Sequence, residues 1–170
     1  MNNALLSSKD MSWMTPEEVL APIRKFGSND SLHGITLDPC TTPDNPCQAL
    51  LFMSSGALTQ DWQKHAAGGL IYANPPYGRE LGNWTAKFRL EGQMRGAELI
   101  TLTPARPDTN WWHRDMITAS RILFWKGRIK FVGRDGPMDA APFPCALSYW
   151  GKWTAEFDLV FKRYGWIVTP

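Results

Sequence analysis

Three short apolar runs in this chain end on proline, and they restrict its fold more than any other feature. They are "ITLDPC" (Ile35 to Cys40), "LIYANPPYG" (Leu70 to Gly78) and "LITLTPA" (Leu99 to Ala105). Proline has no backbone donor and a fixed φ, and it pushes the preceding residue toward extended geometry. Each run therefore reads as a strand closed at its carboxyl end. "TPEEVLAPIRKFG", "GNWTAKFRLEGQMRG" and "TNWWHRDMITAS" have helical character, whereas "RILFW", "GRIKFVG", "CALSYWG" and "FDLVF" read as strand-like. Strands alternating with helices before a strand-rich end predict an α/β fold, its sheet mostly parallel with antiparallel edge strands. Ligands of such sheets bind beyond the strands' carboxyl ends, so Asp38-Pro39, Asn74 to Tyr77 and Thr103-Pro104 are expected to share one site.

The first helix has a start signal. Thr15 is placed to cap it, Pro16 suits its first turn, and Glu18 completes a capping box. Pro22 falls inside the pattern and predicts a short or kinked helix. Asp108 or Thr109 is placed to cap the third. Trp111 and Trp112 read as packing residues.

At 170 residues, with 44% hydrophobic and 20% charged side chains, the chain has an ordinary globular composition. Residues 1–11 are expected to be loosely ordered and 12–170 to form one domain. About 36 residues separate Asp38 from Asn74, fewer than the ~50 of a small domain. No large recognition domain fits between them. No apolar run reaches the ~20 residues of a membrane span, and the start lacks the form of a signal peptide, so a cytoplasmic location is expected. Cys40, Cys47 and Cys145 lack metal-pair spacing, as do His33, His65 and His113; no metal is expected.

The net charge of +2 is small, but its distribution is uneven. Between Met116 and Arg134 lie Arg121, Lys126, Arg128, Lys130 and Arg134 with no acidic residue, interleaved with Phe124, Trp125 and Phe131. Arg128 and Lys130 alternate with Ile129 and Phe131, which predicts a basic outer face over an apolar inner one.

Rigid prolines in "NPPY" suit a site that must aim acceptors. The Asn74 side-chain oxygen and the Pro75 carbonyl, held by Pro75 and Pro76, can accept both hydrogens of one planar amine. Tyr77 offers an aromatic face to its ring. Fixed acceptors would stabilise charge developing on an amine whose lone pair is otherwise delocalised.

Asn-Pro-Pro-Tyr after an apolar strand resembles the signature of S-adenosyl-L-methionine-dependent methyltransferases acting on planar amines. The ordered set "SWMTP", "LDPC", "ALTQDW", "NPPYG", "LTPARPDTNWWH" and "GRIKF" is similar to compact phage-type DNA N6-adenine methyltransferases over residues 12–150. The resemblance implies a Rossmann-like class I methyltransferase fold, with S-adenosyl-L-methionine as cofactor and DNA as partner. It implies cofactor contacts at Trp13, Thr15, Pro16, Asp38, Pro39 and Asp61, and catalysis at Asn74, Pro75, Pro76 and Tyr77. Asp61 would serve either the ribose or the adenine of the cofactor. Arg128, Lys130 and Lys126 would contact DNA, and the target adenine would leave the duplex to stack on Tyr77. After Asp38-Pro39 this chain has "CTTPDNP", where the family commonly carries glycines. The same motif serves RNA and protein glutamine, and a silent DNA-binding decoy would keep the fold; these remain open at this level. Protection of phage DNA from restriction is the purpose the family implies.

Overall fold

A computed structural model describes residues 13–28, 34–133, 136–137 and 139–170. Residues 1–11, expected to be loosely ordered, lie outside these, as do His33 and Arg134. In chain order the elements are α1 (Glu17–Gly27), β1 (Leu37–Asp38), β2 (Leu51–Phe52), α2 (Trp62–Ala66), β3 (Ile71–Ala73), α3 (Leu81–Arg89) and β4 (Leu99–Pro104). Then follow α4 (Asn110–Arg114), β5 (Arg121–Trp125), β6 (Val132–Gly133), β7 (Gly136–Pro137), β8 (Cys145–Trp150), α5 (Thr154–Phe161) and β9 (Gly165–Val168). Seven strands form one sheet in the order β2-β1-β3-β4-β8-β5-β9, and β6 pairs with β7 in a separate ribbon.

The expected α/β sheet is present, Rossmann-like in its layering. Its β2-β1-β3-β4 half is parallel and its β4-β8-β5-β9 half antiparallel. From β1 the chain first moves outward to β2, then returns across β1 to β3. The strand order therefore reverses between β1 and β3, the position where such sheets open a ligand crevice.

Alternation along the strands builds two apolar layers. Ile100 and Leu102 of β4, with Leu147 and Tyr149 of β8, face Val19, Ile23 and Phe26 of α1 and Phe157 and Phe161 of α5. Leu99 of β4, with Ala146 and Trp150 of β8, faces Trp62, Phe88, Trp112 and Met116 on the other side. Helices thus cover both faces of the sheet. After α3 the chain makes a π-helical turn, Leu90–Met94. Gly92 there lies so close to the Trp150 ring that an added Cβ would stand 2.4 Å from its Cγ; this glycine allows the approach.

Three local expectations are corrected. "FDLVF" forms helix α5, not a strand: Phe157 and Phe161 at i,i+4 are buried while Leu159 between them is 68% exposed. "GRIKF" keeps its alternation, but only Val132 and Gly133 beyond it pair as a strand. Thr15 does not cap α1, whose N-cap is Pro16 with no side-chain cap bond; its hydroxyl is engaged elsewhere. Pro22 lies inside α1, which runs for 11 residues to Gly27. Thr109 is the N-cap residue of α4, but its hydroxyl bonds back to the Arg106 carbonyl at 2.7 Å. Trp112 is buried and stacked on Phe124 at 6.1 Å, a packing role as expected.

Candidate active site

At the strand-order reversal lies a cleft of about 510 Å³, within the usual size of small-ligand sites. Trp13, Met14 and Thr15 form one wall, and Asp38 to Thr42 form the floor. Met53 to Thr59 form the opposite wall, and Pro46, Cys47, Asn74, Pro76 and Trp84 complete the lining. The sequence pointed to Trp13, Thr15, Asp38, Pro39 and Asn74, and the fold brings them together. Pro16 and Asp61 do not line this cleft.

Asp38 is buried at the end of β1. Burial pushes its carboxyl up from 3.8 to about 6, against hydrogen bonds from the Cys40 amide, Cys47 and Thr41 that favour the anion. The Cys40 amide donates to Oδ1 at 2.9 Å. A carboxylate that burial disfavours as an anion is suited to a cationic group. Cys40, Thr41 and Cys47, all in the loop after β1, supply the hydrogen bonds to Asp38.

Asp61 is the N-cap of α2, accepting from the Lys64 amide at 3.0 Å, and it pairs with Arg95 at 3.5 Å. Its neighbours Ala57, Leu58 and Thr59, in a 3-10 turn, are the ones that reach the cleft. Gly56 enters that turn with φ +69°, a left-handed conformation that glycine adopts without strain. A buried ion cluster holds this wall. Lys87 Nζ donates to the Gln60 carbonyl at 2.5 Å and pairs with Glu91 at 2.6 Å. Glu91 also accepts from the Gln63 amide at 3.0 Å and from Arg95 at 2.6 Å. Sequence reading missed this cluster, because Lys87, Glu91 and Arg95 at i,i+4 spacing look like a solvated helix face.

The Asn74 amide is held at both ends. Nδ2 donates to the Trp13 carbonyl at 2.9 Å and to Thr15 Oγ1 at 3.1 Å. Oδ1 accepts from the Tyr77 hydroxyl at 2.7 Å. A carbonyl can only accept, so Trp13 decides which end of the amide faces it. The Tyr77 ring is half-buried among other aromatic rings. It sits edge-on to Trp13 at 5.9 Å, Phe131 at 6.0 Å and Phe143 at 5.6 Å, and burial pushes its phenol well above 10. Trp13 in turn stacks on Phe143 at 5.6 Å. The same Trp13 therefore borders both the cleft and the aromatic cluster around Tyr77.

The Trp13 to Thr15 strap is fastened on its far side to β6. Met14 and Val132 exchange two backbone hydrogen bonds of 2.9 Å. This draws "GRIKF" against the site: Phe131 is buried beside Trp13 and Tyr77, Ile129 is buried, and Lys126, Arg128 and Lys130 are exposed. Arg128 is close enough to Cys145, at the end of β8 that pairs with Pro104, to oppose the rise of its thiol pKa. The basic segment and the proline-terminated strand ends thus lie on one side of the sheet.

A model of the DNA N-6-adenine-methyltransferase (Dam) family matches residues 2–161. The chain belongs to this family. Membership makes the chain an adenine-specific DNA methyltransferase, and it covers every element from α1 through α5. No curated protein and no solved structure matches this Dam-family chain. Among the described residues there is no group of three potential metal ligands and no helix long and apolar enough to cross a membrane.

Proposed function

We propose that the chain transfers a methyl group from S-adenosyl-L-methionine to the N6 amine of an adenine turned out of DNA, at sites selected by the surrounding sequence. The observation that carries this reading is the Asn74 amide, fixed by Trp13 and Thr15 at the edge of the cleft with its oxygen turned away from them.

The cleft fits the cofactor in size and chemistry. Asp38 offers a buried carboxylate for the cationic methionine end, and Trp13, Met53, Leu58 and Trp84 offer apolar surface for the nucleoside end. Thr15 and Pro39 frame the methionine side, and Asp61 supports the opposite wall by capping α2. When bound, the cofactor supplies an electrophilic methyl group on a sulfonium.

The chain's own residues prepare the amine. Asn74 Oδ1 and the Pro75 carbonyl each accept one N–H, which draws the lone pair out of the ring as the nitrogen becomes tetrahedral. Pro75 and Pro76 hold these acceptors stiffly, so little reorganisation accompanies the reaction. Tyr77 and the rings around it exclude water and bound the adenine pocket. Arg128, Lys130 and Lys126 hold phosphates, positioning the duplex without reading its bases.

The test uses tritiated methyl donor and adenine-unmethylated DNA, followed by digestion to nucleosides. Label in N6-methyladenine that Asn74→Ala abolishes is the expected result. Label confined to RNA or to protein glutamine, or DNA binding with no transfer, would overturn it.

A further inference from the structure

Thr15 and Tyr72 form a buried hydroxyl pair that neither the cleft nor the fold alone explains. The two oxygens lie 2.7 Å apart, and both residues are almost wholly shielded from solvent. Tyr72 comes from β3, two residues before Asn74, and its ring lies in the α1-side core, away from the cleft lining. Burial holds its phenol well above 10, so it keeps its proton. Thr15 Oγ1 is also the second acceptor of Asn74 Nδ2.

The hydrogen bookkeeping of this chain is restrictive. Asn74 Nδ2 can only donate, so a Thr15 lone pair must face it. Thr15 then gives its own hydrogen to Tyr72, or takes the hydrogen of Tyr72 on its other lone pair. In both arrangements the Tyr72 hydroxyl keeps the Thr15 hydrogen from pointing at Asn74. Without Tyr72 that hydrogen is free to rotate toward the amide, and Nδ2 is held by the Trp13 carbonyl alone.

From this geometry we infer that Thr15 and Tyr72 are positioning residues for catalysis. They orient the Asn74 amide so that its oxygen faces the target amine. The inference rests on the proposed role of Asn74 as acceptor, and it gives Thr15 a task besides bordering the cofactor cleft. A misdirected acceptor weakens the transition state more than ground-state binding, so the loss should appear in the rate and not in affinity.

The experiment compares full-length wild type, Tyr72→Phe, Thr15→Val, Thr15→Ser and the double variant Tyr72→Phe/Thr15→Val. Single-turnover methylation of DNA, cofactor affinity by calorimetry and the ¹⁵N signals of the Asn74 side-chain amide are measured. Tyr72→Phe should slow transfer about tenfold, the scale of one misplaced hydrogen bond, with cofactor affinity within about twofold. Thr15→Val should be at least as slow, and the double variant no slower than Thr15→Val, since both act along one path. Thr15→Ser, which keeps the hydroxyl, should recover most of the rate. The Asn74 amide protons should lose their exchange protection in Tyr72→Phe and Thr15→Val. Wild-type rate and amide protection in Tyr72→Phe would overturn the inference, as would a loss that appears only in cofactor affinity. Thr15→Ser as slow as Thr15→Val would do the same. Failure of the underlying reading is distinct: Asn74→Ala would then methylate DNA at the wild-type rate, or wild type would form no methyladenine.

Discussion

The Tyr77 hydroxyl donates its hydrogen to Asn74 Oδ1 at 2.7 Å, and so occupies the acceptor assigned to the adenine amine. Its oxygen is also 3.3 Å from the Leu102 carbonyl. Where the base takes the same lone pair, its entry exchanges this internal hydrogen bond for one to substrate. A typical net hydrogen bond is worth about 1 kcal/mol. Tyr77→Phe keeps the ring but removes the competitor, and should tighten binding of target DNA by up to about tenfold. Tyr77→Ala, which opens the cluster with Trp13, Phe131 and Phe143, should cost transfer rate. Fluorescence anisotropy on the two variants checks this; weaker DNA binding by Tyr77→Phe would refute the competition.

Asp38 links the cleft to pH. Burial pushes its carboxyl from 3.8 up to about 6, a difference of about 3 kcal/mol between protonation states. Between these values the unfolded chain has already released its proton, so stability is fullest below about 3.8 and falls as pH rises through 6. Asp38→Asn should remove that decline, read as the urea midpoint from pH 4 to 7. A cationic ligand favours the ionised carboxyl. Cofactor binding should accordingly weaken as pH drops below 6 and release a proton near that pH. Calorimetry in buffers of different ionisation enthalpy tests the release; pH-independent affinity would place the cation elsewhere.

The buried Lys87–Glu91 pair fastens the cleft wall to α3. Removing one partner leaves a buried charge unmatched, at a cost of about 3–5 kcal/mol. Glu91→Ala should lose about that much stability in urea denaturation, and cofactor affinity should fall because the Gln63 amide loses its anchor. A change below about 1 kcal/mol would mean the pair is not the fastening.

Arg128 and Lys130 project from a segment whose alternate residues, Ile129 and Phe131, are buried. If each neutralises one phosphate, the double alanine variant should lower the slope of log K against log salt by about 1.8. Filter binding between 50 and 200 mM salt would show it. An unchanged slope would remove this segment from the interface.

The sequence by itself determined the α/β class, the three proline-closed strand ends and the inward-outward alternation of 128 to 131. Each rests on local covalent or steric facts: the missing proline donor, the period-two strand, and the side-chain size that decides burial. It also determined the Asn74 motif, which carries its rigidity with it. Tertiary structure decided the rest. "FDLVF" satisfies both periods over five residues, and only the packing of Phe157 and Phe161 on Phe26 made it a helix. Thr15 had the form of a cap, but Tyr72 and Asn74, 57 and 59 residues away, took its hydroxyl. Tyr77 offered an aromatic ring, and the fold set Trp13, Phe131 and Phe143 edge-on around it. Such contacts join residues far apart in the chain. No local propensity encodes them, and only the meeting of β3 with the Trp13 to Thr15 strap decides what each side chain touches.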